Sequence, residues 1–220
     1  MDVKNAFKFN QKLLDGFNMN RISSNIIDEI IAKMTDCGLG MRRTTVDLLK
    51  YDPRWAEAFS WLIGKFAYYH NGALDYRAEH FGSTSIPNLS AKPALDVMLI
   101  FKNEQKLRAS VPFFEKLGFV YKGDVVGMVN QAESSPLRHF FSFYNPERSI
   151  DYVHLHVFVD GHPDIINNLR FRDILRQNQS LVKEYELLKS QFKAGALCRP
   201  DRINSKKIFI SMVLSGLESP

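Results

Sequence analysis

Cysteine is scarce in this chain of 220 residues: only Cys37 and Cys198 occur. Neither belongs to a Cys-x-x-Cys pair, which argues against a zinc knuckle, and in a reducing compartment both are expected to stay thiols. Long apolar runs are missing too. No stretch approaches the roughly 20 residues that span a bilayer, and residues 1–10 hold no apolar signal core. The expectation is a cytoplasmic protein with no membrane partner. Also lacking is a basic run interleaved with aromatics, so nucleic acid is not expected as a partner. Neither sign of charge dominates. The net charge of +5 suits an anionic ligand and equally a solvated surface with a few extra lysines. No internal repeat or low-complexity tract is visible.

What remains is the balance of an ordinary globule, 45% hydrophobic and 24% charged, long enough for one sizeable domain or a domain with an appendage. Residues 1–22 are polar with scattered anchors (Phe7, Phe9, Leu13, Leu14, Phe17). Ile26, Ile27, Ile30, Ile31 and Met34 then mark one face of a helix that Gly38 and Gly40 end. Residues 1–43 read as a helical extension packed on a main domain at 44–217, joined by a linker. A short strand is expected over 46–49. Asp52-Pro53 is a strong helix start, and Trp55, Phe59, Leu62, Phe66 and Tyr69 form an aromatic stripe that reads as core. Strands are expected over 76–81, 94–101, 119–122, 138–144 and 152–159. A helix capped by Asn103 over 104–117 must break or restart at Pro112, and 127–137 reads as a polar loop. Asn145-Pro146-Glu147-Arg148 makes a hairpin turn. After Gly161 the pattern is helical throughout. The fold class is α+β: a mixed β-sheet flanked by helices, with a C-terminal helical segment.

The stretch 80–100 concentrates the chemistry. Gly82-Ser83 can bring backbone amides close to a phosphate, or can be a plain turn. Asp96 lies inside an apolar strand, where a carboxylate needs a partner or a cation. It shares a strand face with Met98 and Ile100, while Leu95, Val97, Leu99 and Phe101 take the other. Lys92 can neutralise phosphate or pair with Asp96. His154 and His156 alternate along a strand, about 7 Å apart, close enough to share a metal or an anion. Asp151 has the opposite parity and joins them only through a bulge or by lying off the strand. Arg138, with Arg170, Arg172 and Arg176, offers a phosphate clamp, Asp173 being the local alternative partner.

Five segments, in order, resemble the GrpB family: Tyr51-Asp52-Pro53-Arg54-Trp55; Glu79-His80-Phe81-Gly82-Ser83-Thr84-Ser85-Ile86-Pro87; Ala91-Lys92-Pro93 with Asp96; His154-Leu155-His156-Val157; and Phe171-Arg172-Asp173 with Leu175-Arg176. Tyr185 and Lys189 fit its later helix. The resemblance spans roughly 46–215 and implies a nucleotidyltransferase-like core of the polymerase-β type. It implies that Gly82 and Ser83 meet nucleotide phosphates; Thr84 beside them, with Lys92, Arg138 and Arg172, completes the candidate phosphate-binding set. It also implies that Asp96 holds Mg²⁺ or Mn²⁺. Asp96, His154 and His156 are then the candidate catalytic groups. The second carboxylate of that superfamily is Met98 here, a poor ligand for a hard cation, and the third position falls to His154, His156 or a displaced Asp151. The expectation is a protein that binds a nucleotide or other phosphorylated small molecule with degenerate carboxylates. The alternatives are an active metal-dependent transferase using Asp96, and a protein-interaction module.

Overall fold

The alternation along 94–101 becomes strand β3, Leu95–Phe101, at the centre of the sheet. Its two faces part as a strand must. Leu95, Val97, Leu99 and Phe101 enter the main core, whereas Met98 and Ile100 enter a separate apolar cluster with Phe81, Phe158 and Ile165. A computed structural model describes residue 22 and residues 25–42, 47–124, 138–193 and 199–216. The loop expected over 127–137, the anchors before residue 18, Val46, Cys198 and Leu217 lie outside the described residues.

The sheet is mixed. β2 (Tyr76–Phe81) runs antiparallel to β3, and β6 (Ile150–Val159) lies parallel to β3 on its other side. β5 (Arg138–Asn145) and β4 (Val120–Asp124) continue it antiparallel, and β1 (Met41–Arg42) adds to β6. Four helices cover the core face: α1 (Ile26–Asp36), α2 (Arg54–His70), α3 (Glu104–Ala109) and α4 (Val111–Lys116). Phe66 of α2 packs edge-on against Phe114 and Phe119, with ring centroids 5.3 and 5.7 Å away. Ile26, Ile30 and Met34 of α1 lie in this same core. The opposite face meets α5 (Pro163–Gln177), α6 (Gln179–Lys193) and α7 (Arg199–Ser215). Leu175, Val182, Tyr185, Phe209 and Val213 of these helices close on Ile86 and Leu89, so the loop after β2 is held between sheet and C-terminal helices.

One local expectation differs from what forms, and another forms as read. The strand expected over 46–49 is reduced to a single bridge, Leu49 with Ala91, joined by two 2.8 Å backbone bonds. The next bonded pair of that ladder would need an N–H from Pro93, which has none. The helix expected over 104–117 restarts at Ser110, because Pro112 cannot donate back into it. Asn103 caps α3 as expected, its side chain accepting from Lys106 N at 2.9 Å. Among the described residues no helix is long and apolar enough to cross a membrane.

Met98 is fully buried under this helical layer. Met98→Asp is therefore expected to lose roughly 3 kcal/mol or more of stability by burying an unpaired charge, while Met98→Leu stays within about 1.5 kcal/mol. Urea unfolding of the two variants checks this.

Candidate functional site

Antiparallel pairing of β2 with β3 sets Phe81 opposite Asp96, which brings the next residue, Gly82, against the Asp96 side chain. Gly82 has φ +68°, a conformation L side chains rarely adopt. A Cβ added there would overlap Asp96 Oδ2 and lie 2.9 Å from Asp96 Cβ and Cγ. Glycine is thus required twice, by the turn and by the carboxylate behind it. Ser83–Ser85 follow as one turn of 3₁₀ helix whose own bonds use the Ser85 and Ile86 amides, and the Ser85 hydroxyl donates to Gly82 O at 2.7 Å.

Parallel pairing of β3 with β6 places Asp96 beside His154 and Met98 beside His156. Both imidazoles turn to one oxygen: His154 Nδ1 is 3.4 Å and His156 Nε2 3.7 Å from Asp96 Oδ1. Burial pushes the Asp96 carboxyl up, but the two histidines outweigh it and hold it well below the usual carboxylate range. Burial also lowers the His156 pKa against the pull of Asp96. His156 is wedged between the Phe81 and Phe140 rings, at 5.0 and 5.1 Å, and its Nδ1 is buried with no hydrogen-bond partner among the described residues. The bulge that Asp151 needs is present. β5 pairs Phe143 with Val153 but Tyr144 with Asp151, leaving Tyr152 as the extra residue. Tyr152 and Val153 both enter the core, and Asp151 is set, buried, on the face of the histidines.

Ser83, Thr84, Lys92, Ala94, Asp96 and His154 line a cavity of about 220 Å³, joined by Met41, Leu48, Lys189 and Lys206. Lys189 of α6 is only 3% exposed. Its ammonium donates to the Ser90 carbonyl and lies 5.3 Å from the Tyr185 ring centroid, while the Ser90 hydroxyl donates to Glu186. Burial first, and then Lys206, bring the Lys189 pKa down to about 7, with Glu186 and Asp96 pulling the other way. Lys206 of α7 is lowered by burial and by Lys92. Behind the turn, His80 is buried, stacks on Phe59 at 5.1 Å and meets Thr84 Oγ1 through Nε2 at 3.1 Å. Burial lowers its pKa to about 4.

The structure therefore brings Gly82, Ser83, Thr84, Lys92, Asp96 and His154 to one place, with His156 against Asp96 from beneath. Arg172 is elsewhere. Its guanidinium is spent on Glu79 Oε2 at 2.9 Å, the His80 carbonyl at 2.9 Å and Asp173 Oδ1 at 2.7 Å, so it braces β2 rather than the cavity. Arg138 stands on the histidine face of the sheet but over the Phe158 ring, 3.9 Å from Asp164 Oδ2, and does not line the cavity. Lys206 escaped the sequence reading, and Lys189 entered only through the resemblance. The available signal was a lysine on an apolar helix face: Lys189 follows Tyr185 by four, and Lys206 precedes Phe209 by three.

A two-cation clamp does not fit these residues. Met98 is buried among apolar side chains, and among the described residues no three His, Cys, Asp or Glu side chains are grouped to hold a metal ion.

The family model described as GrpB protein matches residues 45–215. UPF0157 protein BH1888 of Halalkalibacterium halodurans is 34% identical over 163 residues, 74% of this chain and 76% of that one. UPF0157 protein YqkA of Bacillus subtilis is 29% identical over 161 residues, 72% of this chain and 42% of its own length. The crystal structure of GrpB from Enterococcus faecalis aligns with a TM-score of 0.60 at 28% identity, covering 76% of this chain and 94% of that one.

Two outcomes are expected. Gly82→Ala should cost at least about 2 kcal/mol, from the positive φ and the overlap, and less in an Asp96→Ala background where the carboxylate is gone; a double-mutant cycle in urea reads the difference. His80 is held neutral in the fold down to about pH 4, whereas the unfolded chain protonates it below about 6.5. Stability present above pH 6.5 is thus lost as pH falls toward 4, by up to ~3 kcal/mol. His80→Gln should flatten the pH–stability curve in that window.

Proposed function

The chain belongs to the GrpB family, and we propose that it binds the phosphate groups of a nucleotide or another phosphorylated small molecule in the cavity beside Asp96. One observation carries this reading. Three lysines from three separate segments, Lys92 on the loop, Lys189 on α6 and Lys206 on α7, line one cavity of about 220 Å³ together with Ser83 and Thr84 of the turn. Bringing ammonium groups together out of water is unfavourable. Lys92 is exposed, while burial and the neighbouring lysines lower the pKa of Lys189 and Lys206. An anion between them reverses the sign of that interaction, and a phosphate offers several acceptor oxygens to donors arriving from different directions. The volume suits a phosphate or diphosphate end, with the remainder of the ligand directed outward. Asp96 and His154 line the same cavity. The degenerate carboxylate set favours binding over two-metal transfer, because Met98 removes the second hard ligand.

Thermal unfolding with pyrophosphate and with ATP, each with and without Mg²⁺ or Mn²⁺, tests the reading. Pyrophosphate alone is expected to raise the melting temperature, by the equivalent of about 2.7 kcal/mol at a hundred times the dissociation constant. Lys206→Met should weaken that binding at least tenfold, and high salt should weaken it in both proteins. No stabilisation by either compound overturns the proposal. Stabilisation only in the presence of the divalent cation turns it into the metal-dependent transferase reading with Asp96 as the ligand.

A further inference from the structure

The two histidines beside Asp96 are not equivalent. His156 is buried between two phenyl rings, turns Nε2 toward Asp96 Oδ1 at 3.7 Å and keeps Nδ1 where no ligand reaches it. His154 is 22% exposed in its side chain, lines the cavity and gives Nδ1 to the same oxygen. A carboxylate on Nδ1 fixes the proton there and stabilises the imidazolium that forms when Nε2 accepts another. The 3.4 Å separation is of the loose kind that tightens once a ligand is bound.

We infer that His154, oriented by Asp96, is a general base that directs water onto a phosphate ester or anhydride held by Lys92, Lys189 and Lys206, so that the cavity is a phosphohydrolase site. The inference rests on the phosphate-binding reading and goes beyond it by making the ligand a substrate. In the step, His154 Nε2 takes a proton from water while the water oxygen forms a bond to phosphorus. The bond from phosphorus to the leaving oxygen breaks, and its electron pair stays with that oxygen. The Lys189 ammonium, buried at the cavity wall, supplies the leaving oxygen with a proton. His154 then releases its proton to solvent and Lys189 takes one up, so the sum is ester or anhydride plus water giving phosphate plus alcohol or phosphate. No oxidant or further reactant is needed. Asp96 and His156 are positioning residues in this scheme, Asp96 acting on His154 and His156 holding Asp96 from beneath. Gly82 matters to it because a side chain there would displace the carboxylate.

The test uses the full chain with pyrophosphate, ATP and p-nitrophenyl phosphate. Release of inorganic phosphate or nitrophenol is followed beside the thermal shift given by each compound. Turnover of at least one is expected. His154→Asn, whose amide keeps a donor for Asp96, should lower kcat about 100-fold or more with the thermal shift and KM preserved. His154→Gly should regain part of the rate when imidazole is added, which a merely structural role would not produce. Lys206→Met should lose the thermal shift and raise KM. Compounds that stabilise the protein but are not consumed overturn the hydrolase inference and leave phosphate binding standing; compounds that do neither overturn both. Turnover that survives His154→Asn, or that imidazole does not restore in a folded His154→Gly, removes His154 from the chemistry.

Discussion

One carboxylate is held from two sides, and the site is arranged around that constraint. Asp96 Oδ2 lies where only the bare backbone of Gly82 fits, and Oδ1 is shared by His154 and His156. The β2–β3 register brings the turn to one side and the β3–β6 register brings the imidazoles to the other. A one-residue slip of either pairing would turn Asp96 or both histidines to the core face. The apolar run of β3 guards against this, because Leu95, Val97, Leu99 and Phe101 must all be buried on the opposite side.

The C-terminal helices complete the site for a related reason. The loop after β2 is held between the sheet and these helices. Ile86 and Leu89 are buried against Leu175, Val182, Tyr185 and Phe209. The helices that shelter the loop also carry Lys189 and Lys206 to the cavity. Arg172 secures the assembly by tying α5 to Glu79 and the His80 carbonyl of β2. Packing thus brings three lysines to the cavity beside the fixed Asp96 carboxylate, which is the electrostatic basis for an anion site.

Much of this was legible in the sequence. Strong periodicity gave the strands from β2 to β6 and the long helices, and Asp52-Pro53 and Asn103 marked ends that form where expected. The Gly82 turn, Asp96, Lys92 and His154 were visible because each breaks a local apolar pattern or supplies a special backbone conformation. What was not legible depends on distant pairing. Arg172 carries the same side-chain chemistry whether it clamps phosphate or braces a strand, and only the approach of Glu79 and Asp173 decides. Lys206 is over a hundred residues from Asp96 in sequence, and its helix shows no strong amphipathic signal to say which side faces inward. The bulge that carries Asp151 to the histidine face depends on the partner strand, where Tyr152 has no counterpart. Met98 shows the same limit: parity placed it beside Asp96, but the helix covering it closed that part of the face.

The central claim is that the lysine-lined cavity beside Asp96 receives a phosphate-like anion, and crystals of the protein soaked in tungstate test it most directly. The expected result is an anomalous peak inside the cavity, within hydrogen-bonding reach of Lys92, Lys189 and Lys206. A peak that avoids this cavity while other surface lysines are occupied would contradict the claim.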